Sequence, residues 1–158
     1  MLTMQTQDKN KALVRRLYED CFNTGNLVVL HELLGEDFIG SRGEKGPAEF
    51  AATLATLRKG FPDVHFVVED LFAEGDRVAA RWSFRATHQG PFAGVAASHA
   101  QVTQTAIAIY RVSDGKLRQA WLQADRLGLL QQLVNSNSEI RSACHALAAH
   151  DCVTTRSR

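Results

Sequence analysis

The chain has 158 residues, 45% hydrophobic and 22% charged, with a formal net charge of +1. A single domain of this size buries about 70% of the surface its unfolded chain exposes, enough for a core and a pocket. Near-neutrality argues against a nucleic-acid binder that works by broad phosphate neutralisation and against a polybasic membrane-surface protein, and no apolar run approaches the ~20 residues that span a bilayer.

Residues 1–9 are expected to be a flexible N-terminus, residues 10–134 one domain, and residues 135–158 a partly helical extension with a disordered end. Residues 1–11 are polar and lack the apolar core of a signal peptide, so cytoplasmic residence is expected. Over residues 10–23, Leu13, Leu17 and Cys21 recur every fourth position with Val14 and Phe22 beside them, which predicts an amphipathic helix stopped at Gly25. A short helix follows through Leu27, Leu30, Leu33 and Leu34, then a short strand at residues 37–39 and a Gly-rich loop. Pro47 opens a third helix with Phe50, Leu54 and Leu57 on its apolar stripe, ended by Gly60.

From Pro62 the period becomes two, placing Val64, Phe66, Val68 and Asp70 on one face. A turn at residues 74–77 leads to a strand with Trp82 and Phe84 on one face, and Gln89-Gly90-Pro91 breaks it. Residues 102–112 are rich in strand formers, and Asp114-Gly115 predicts a hairpin turn into a last strand over residues 117–125. Leu127, Leu129, Leu130 and Leu133 suggest a closing helix. Helices first and hairpin-linked strands after them define an α+β class: a bent antiparallel sheet wrapped on N-terminal helices, enclosing a pocket.

Chemistry-bearing motifs are few. Three cysteines (Cys21, Cys144, Cys152) without CxxC spacing form no disulfide framework, and the six histidines lack metal-site spacing, although Cys144, His145, His150 and Cys152 cluster in the tail. GxGxxG, GxxxxGK[ST] and GxSxG are absent from the sequence, so it offers no sign of a nucleotide cofactor or a nucleophile elbow.

Several segments in order carry a resemblance. They are Leu17-Tyr18-Glu19 running into Phe22-Asn23-Thr24-Gly25-Asn26, Glu36-Asp37-Phe38, Phe61-Pro62-Asp63, Ala80-Arg81-Trp82 into Thr87-His88-Gln89-Gly90, and Gly94. Tyr110-Arg111 before Asp114-Gly115-Lys116-Leu117 follows, then Trp121 with Asp125 four residues on, running into Leu127-Gly128-Leu129-Leu130-Gln131-Gln132-Leu133. In this order the chain resembles the SnoaL-like polyketide cyclases of the nuclear-transport-factor-two-like superfamily. The resemblance implies a cone-shaped α+β barrel and a homodimer that works without metal or organic cofactor. It also implies intramolecular aldol closure of a polyketide ester, with Asp125 removing the acidic proton and returning one to the product oxyanion.

Strand alternation puts Leu117, Gln119, Trp121, Gln123 and Asp125 on one face, the mix expected of a pocket wall, and Ala120, Leu122 and Ala124 on the other. A carboxylate among Trp and Gln is partly desolvated, which suits a general base, and the amides can stabilise an enolate. The alternative reading of Asp125 is a cap on the helix that starts at Arg126. His88 is a second catalytic candidate, as proton partner or orienter of a substrate oxygen, or else a strand-end residue bonded to the loop. Trp82, Trp121, Gln119, Gln123 and Gln104 are substrate-binding candidates, with Tyr18, Phe38, Phe61, Phe92 and the loop residue His99. In the loop the resembled family tends to read Pro-Pro-Thr-Gly-Lys where this chain has Ala96-Ala97-Ser98-His99-Ala100, and many relatives have Glu-His where it has Gln119-Ala120.

The expected function is therefore a polyketide cyclase acting on a small polyketide-like molecule, with no nucleic-acid or membrane partner. The same fold leaves open an epoxide hydrolase, for which Arg81 or Arg85 with Asp70 is conceivable, an isomerase, for which Tyr18 and Tyr110 lack acidic partners, and a hydroxylase. A non-catalytic dimeric binding module is the remaining alternative.

Overall fold

Helix α1 (Leu2–Arg16) starts at Leu2, ahead of the expected Asn10, in a computed structural model that describes residues 2–137. Its exposed face carries Arg15–Glu19 and Arg16–Asp20 pairs at helical i,i+4 spacing. A π turn (Leu17–Phe22) continues it, closed by the Asn23 amide donating to the Tyr18 carbonyl at 2.9 Å. The wider turn buries Leu17, Tyr18, Cys21 and Phe22 together. The Asn23 side chain then both donates to and accepts from the Phe66 backbone, at 2.9 and 2.7 Å, tying the helix end to the sheet.

Helix α2 (Val29–Leu33) leads into β1 (Leu34–Ile39) and α3 (Gly46–Gly60), with Pro47 in the first helical turn as its fixed φ favours. Four strands follow: β2 (His65–Glu74), β3 (Arg77–Thr87), β4 (Gln101–Ser113) and β5 (Lys116–Ala124). The β4–β5 turn has Asp114 at φ 53° and Gly115 at φ 69°, the doubly left-handed turn that Asp-Gly signals. Helix α4 occupies residues 126–137 and buries Leu129 and Leu133. The tail cluster of Cys144, His145, His150 and Cys152, and the expected disordered end, lie outside the described residues.

Sheet order is β1-β5-β4-β3-β2. The α+β class holds, but two expectations are corrected: β1 runs parallel to β5, so the sheet is mixed, and β1 and β2 remain as its two edges, so it is an open sheet and not a strongly bent barrel. No hairpin joins β1 to β5, and the long connection between them leaves a parallel crossover available.

Two β-bulges decide which side chains face inward. In β2, Val68 pairs with Trp82 and Asp70 with Arg81, so Glu69 is an extra residue. Phe66 and Val68 face the core before it, Leu71 and Ala73 after it, and Asp70 turns outward to Arg81 at 2.6 Å. In β5, Leu117 pairs with Val112 and Gln119 with Arg111, so Arg118 is extra. Leu117 and then Ala120, Leu122 and Ala124 face the core, and Gln119, Trp121 and Gln123 are turned away. An odd insertion in a two-residue period reverses every later side chain. The expected face of β5 is therefore inverted.

Candidate functional site

A cavity of about 610 Å³ lies between the inner face of the sheet and the helices. Its aromatic walls are Tyr18 and Phe22 from the π turn, Phe50 from α3, Phe66 from β2, and Trp82 and Phe84 from β3. The space exists because β4 and β5 present Ala108, Ala120 and Ala124 inward, where larger residues would fill it. Phe92 from the loop after β3, and Leu129, Leu130 and Leu133 from α4, complete the apolar lining. The volume suits a small organic molecule of several rings.

Polar groups enter at few points. Glu44 in the loop before α3 lines the cavity and is buried. Its Oε2 accepts the Arg42 amide at 2.9 Å and its Oε1 accepts the Thr53 hydroxyl at 3.2 Å. The carboxylate lies against Gly40, where a Cβ would push Oε2 out of its present position. Arg42, Ser41, Thr56 and Arg126 add further polar lining. Sequence reading missed Glu44 and Arg42 because a loop has no period to show where its side chains point.

Deeper in, the Tyr18 and Tyr110 hydroxyls are 2.6 Å apart, one donating to the other. Burial raises both phenols, Tyr18 well above its ordinary value and Tyr110 to about 12, so both stay protonated near neutral pH. Trp82 is 6% exposed, and its Nε1–H is buried with no hydrogen-bond partner among the described residues.

Of the expected site residues, Tyr18, Trp82, Phe92 and Gln104 do line this one cavity. Trp121 does not: it is 40% exposed on the outer face, with the Arg77 guanidinium 4.8 Å over its ring. Gln119 and Gln123 share that outer parity because of the Arg118 bulge. Phe38 and Phe61 are core residues one layer behind the wall, packed on Phe50 at 5.2 Å and on Phe92 at 4.8 Å. His99 is exposed at φ 57° in the loop and is not among the lining residues.

His88 is fully buried behind Phe61, with ring centroids 5.5 Å apart. Its Nδ1 accepts the Ser98 amide at 3.2 Å and lies 3.0 Å from the Ser98 hydroxyl, fastening the loop to the strand end. Burial lowers its pKa, so the ring is neutral near pH 7. Asp125 is exposed, and its Oδ1 accepts the Gly128 amide at 2.8 Å as the N-cap of α4. It stands at the edge of the cavity: Gln104, which lines it, donates to the Asp125 carbonyl at 3.1 Å, and the next residue, Arg126, lines it too. The Arg81–Asp70 pair that an epoxide hydrolase would draw on lies on the outer face, both side chains exposed. Among the described residues no group of three or more His, Cys, Asp or Glu is placed to hold a metal ion, and no helix is long and apolar enough to cross a membrane.

An α+β domain whose helices and mixed sheet enclose an aromatic cavity with a handful of polar groups is built to take up a small organic molecule. The chain belongs to the SnoaL-like polyketide cyclase family, whose profile matches residues 12–133. It is 31% identical over 128 residues to the aklanonic acid methyl ester cyclase DauD of Streptomyces sp. (strain C5), covering 77% of this chain and 79% of that one. Among solved structures it is similar to a SnoaL-like polyketide cyclase from Jannaschia sp. CCS1, with TM-score 0.74 and 26% identity over 80% of this chain and 92% of the other. It is also similar to AclR, described as a hydroxylase, from Streptomyces galilaeus, with TM-score 0.73 and 28% identity over 82% and 98% of the two chains.

Proposed function

We propose that the chain is a cyclase that closes a ring in a polyketide-derived molecule by acid/base chemistry inside the cavity. The observation that carries this reading is the aromatic cavity of about 610 Å³ in a member of a polyketide cyclase family. A carbon flanked by carbonyls gives its proton to a carboxylate, and the electron pair moves onto oxygen as an enolate. The enolate carbon attacks a second carbonyl, whose oxygen takes a proton back. Atoms and electrons balance without an oxidant or reductant.

Asp125 serves as the carboxylate in this reading: it caps α4 through Oδ1, its carbonyl is held by the cavity-lining Gln104, and its side chain turns from the cap toward the cavity to take the proton. One observation favours a second choice, Glu44, because its carboxylate belongs to the cavity wall itself. His88 positions the loop through Ser98 rather than meeting the substrate. A second copy of the chain covers the outer sheet face, where Phe72, Ile109 and Trp121 stand exposed in one row across the sheet, joined by Ala79.

Incubation with aklanonic acid methyl ester, the compound in DauD's name, tests this reading. Aldol closure is an isomerisation, so the expected product has the mass of the substrate and a new chromatographic retention. Asp125→Asn removes it and Glu44→Gln does not; the reverse pattern moves the base to Glu44. A product one oxygen heavier would instead support a hydroxylase, and binding without conversion a carrier module.

A further inference from the structure

The floor of the cavity holds hydrogen-bond donors that the protein leaves unused. Tyr18 and Tyr110 bring two hydroxyl protons to one bond of 2.6 Å, so one proton is left over. Neither hydroxyl has another partner among the described residues, and both rings are nearly fully buried. The Trp82 Nε1–H is a second buried donor without an acceptor, on a ring whose centroid is 6.3 Å from that of Tyr18. All three side chains line the same cavity. Native interiors rarely leave buried donors unpaired, and a group that stays so calls for an explanation, a catalytic role among them.

The chemistry of the missing partner follows from what is present. Both spare groups donate, the surrounding wall of Phe22, Phe66 and Phe84 is aromatic, and among the described residues no cation is a hydrogen-bond partner of either phenol or of the indole. A carboxylate or phosphate would need a countercharge in so apolar a place. A carbonyl oxygen on a flat ring system needs none, it takes two donors at once, and the charge it gains as an enolate or a phenolate spreads over the conjugated rings instead of resting on the oxygen alone. The raised phenol pKa values keep the hydroxyls in the donating form.

We propose that the Tyr18–Tyr110 pair and the Trp82 indole form a donor cradle for the ring-borne carbonyl oxygen of the substrate, and hold that oxygen as it becomes an enolate. The cradle's role in catalysis rests on the ring-closure reading; its capacity to bind an oxyanion does not. As the proton leaves the neighbouring carbon for the carboxylate, the C–H electron pair shifts to form the C=C bond and the carbonyl π pair moves to oxygen. The two donors strengthen on that oxygen at that moment. When the enolate carbon forms the new C–C bond, the pair returns and the donors relax to their ground-state bonds. Tyr18, Tyr110 and Trp82 thus act on the reacting oxygen itself, while the carboxylate acts on the carbon.

The test is a binding titration with para-nitrophenol, whose phenolate is visible by its absorbance, and with nitrobenzene as the flat partner lacking the oxygen. The parent chain is expected to bind the phenolate more tightly than nitrobenzene. The Tyr18→Phe/Tyr110→Phe double variant removes both hydroxyls at nearly constant shape, and Trp82→Phe removes the indole donor. Each is expected to lose about tenfold in phenolate affinity, the usual scale for a hydrogen bond to a charged group, while nitrobenzene binding changes far less. A parent that prefers nitrobenzene, or a double variant that binds phenolate as the parent does, overturns the cradle. If Trp82→Phe does not fold, the double variant decides alone. Phenolate preference in a chain that converts no polyketide ester would sink the cyclase reading and leave the cradle standing.

Discussion

Replacing Asp125 separates its two roles. In Asp125→Ala the Gly128 amide loses the acceptor 2.8 Å away, and the first turn of α4 keeps an orphan donor. Losing such a cap costs about 1 kcal/mol, within a range of about 0.5–2 kcal/mol. For a chain of this length that lowers Tm by about 2–4 °C. Asparagine caps nearly as well, so Asp125→Asn forfeits only the interaction of the charge with the helix dipole, about 0.3 kcal/mol at so exposed a site, or about 1 °C. Turnover behaves oppositely: Asn cannot accept the proton, and loss of a general base typically costs about 10²–10⁴-fold in rate. Thermal unfolding by circular dichroism, run beside product formation, reads both. An alanine variant with unchanged Tm would refute the cap, and an asparagine variant with parental kcat would refute the base.

Further outcomes follow from the buried polar groups and the outer face. Tyr18→Phe leaves the Tyr110 hydroxyl buried without its partner and should cost about 1–3 kcal/mol in urea unfolding, whereas the Tyr18→Phe/Tyr110→Phe double variant should lie closer to the parent; a double variant as unstable as the two singles summed would contradict this. His88 has its folded pKa lowered below 6.5 by burial, so the unfolded chain takes up the proton first as pH falls. The stability tied to its neutral form is complete above 6.5 and is lost as pH falls from there through the lowered folded value; His88→Gln should flatten that part of a Tm-against-pH curve, and an unaltered slope would count against it. In sedimentation the parent should run as a dimer and Trp121→Glu as a monomer, because the exposed Trp121 stands beside Ile109 and near Ile107 on the outer face; a monomeric parent would remove that interface.

Local chemistry in the sequence translated well into structure where it depended on neighbouring residues. Asp114-Gly115 marks a tight turn, Pro47 fits the first turn of a helix, and Trp82 and Phe84 share one face of a strand, and the structure has all three. Side-chain direction in β2 and β5 was not legible, because Glu69 and Arg118 are ordinary residues and nothing local marks either as an insertion. Arg118 is held by one local and one distant partner: it donates to the Ser113 carbonyl at 3.2 Å across the hairpin and pairs with Asp37 at 2.6 Å, and that guanidinium holds the Asp37 carboxyl below its usual range. One residue of slip exchanged Trp121 and the Gln pair for Ala120, Leu122 and Ala124 at the cavity. The parallel partnership of β1 and β5 was hidden for a similar reason, since a pairing across so long a connection leaves no turn motif. Tyr110 could be placed in a strand, but its meeting with Tyr18 depends on the π turn, which has no sequence signature of its own here.

The ring-closure reading puts the chemistry in the cavity walled by Ala120, Leu122 and Ala124, and not on the Trp121 face of the same strand. Conversion of aklanonic acid methyl ester by the parent, by Ala124→Phe and by Trp121→Ala, each shown to be folded, distinguishes the two faces. The parent and Trp121→Ala should form the isomeric product, and Ala124→Phe, whose ring fills the space, should not. An active Ala124→Phe beside an inactive Trp121→Ala would place the site on the other side of the sheet.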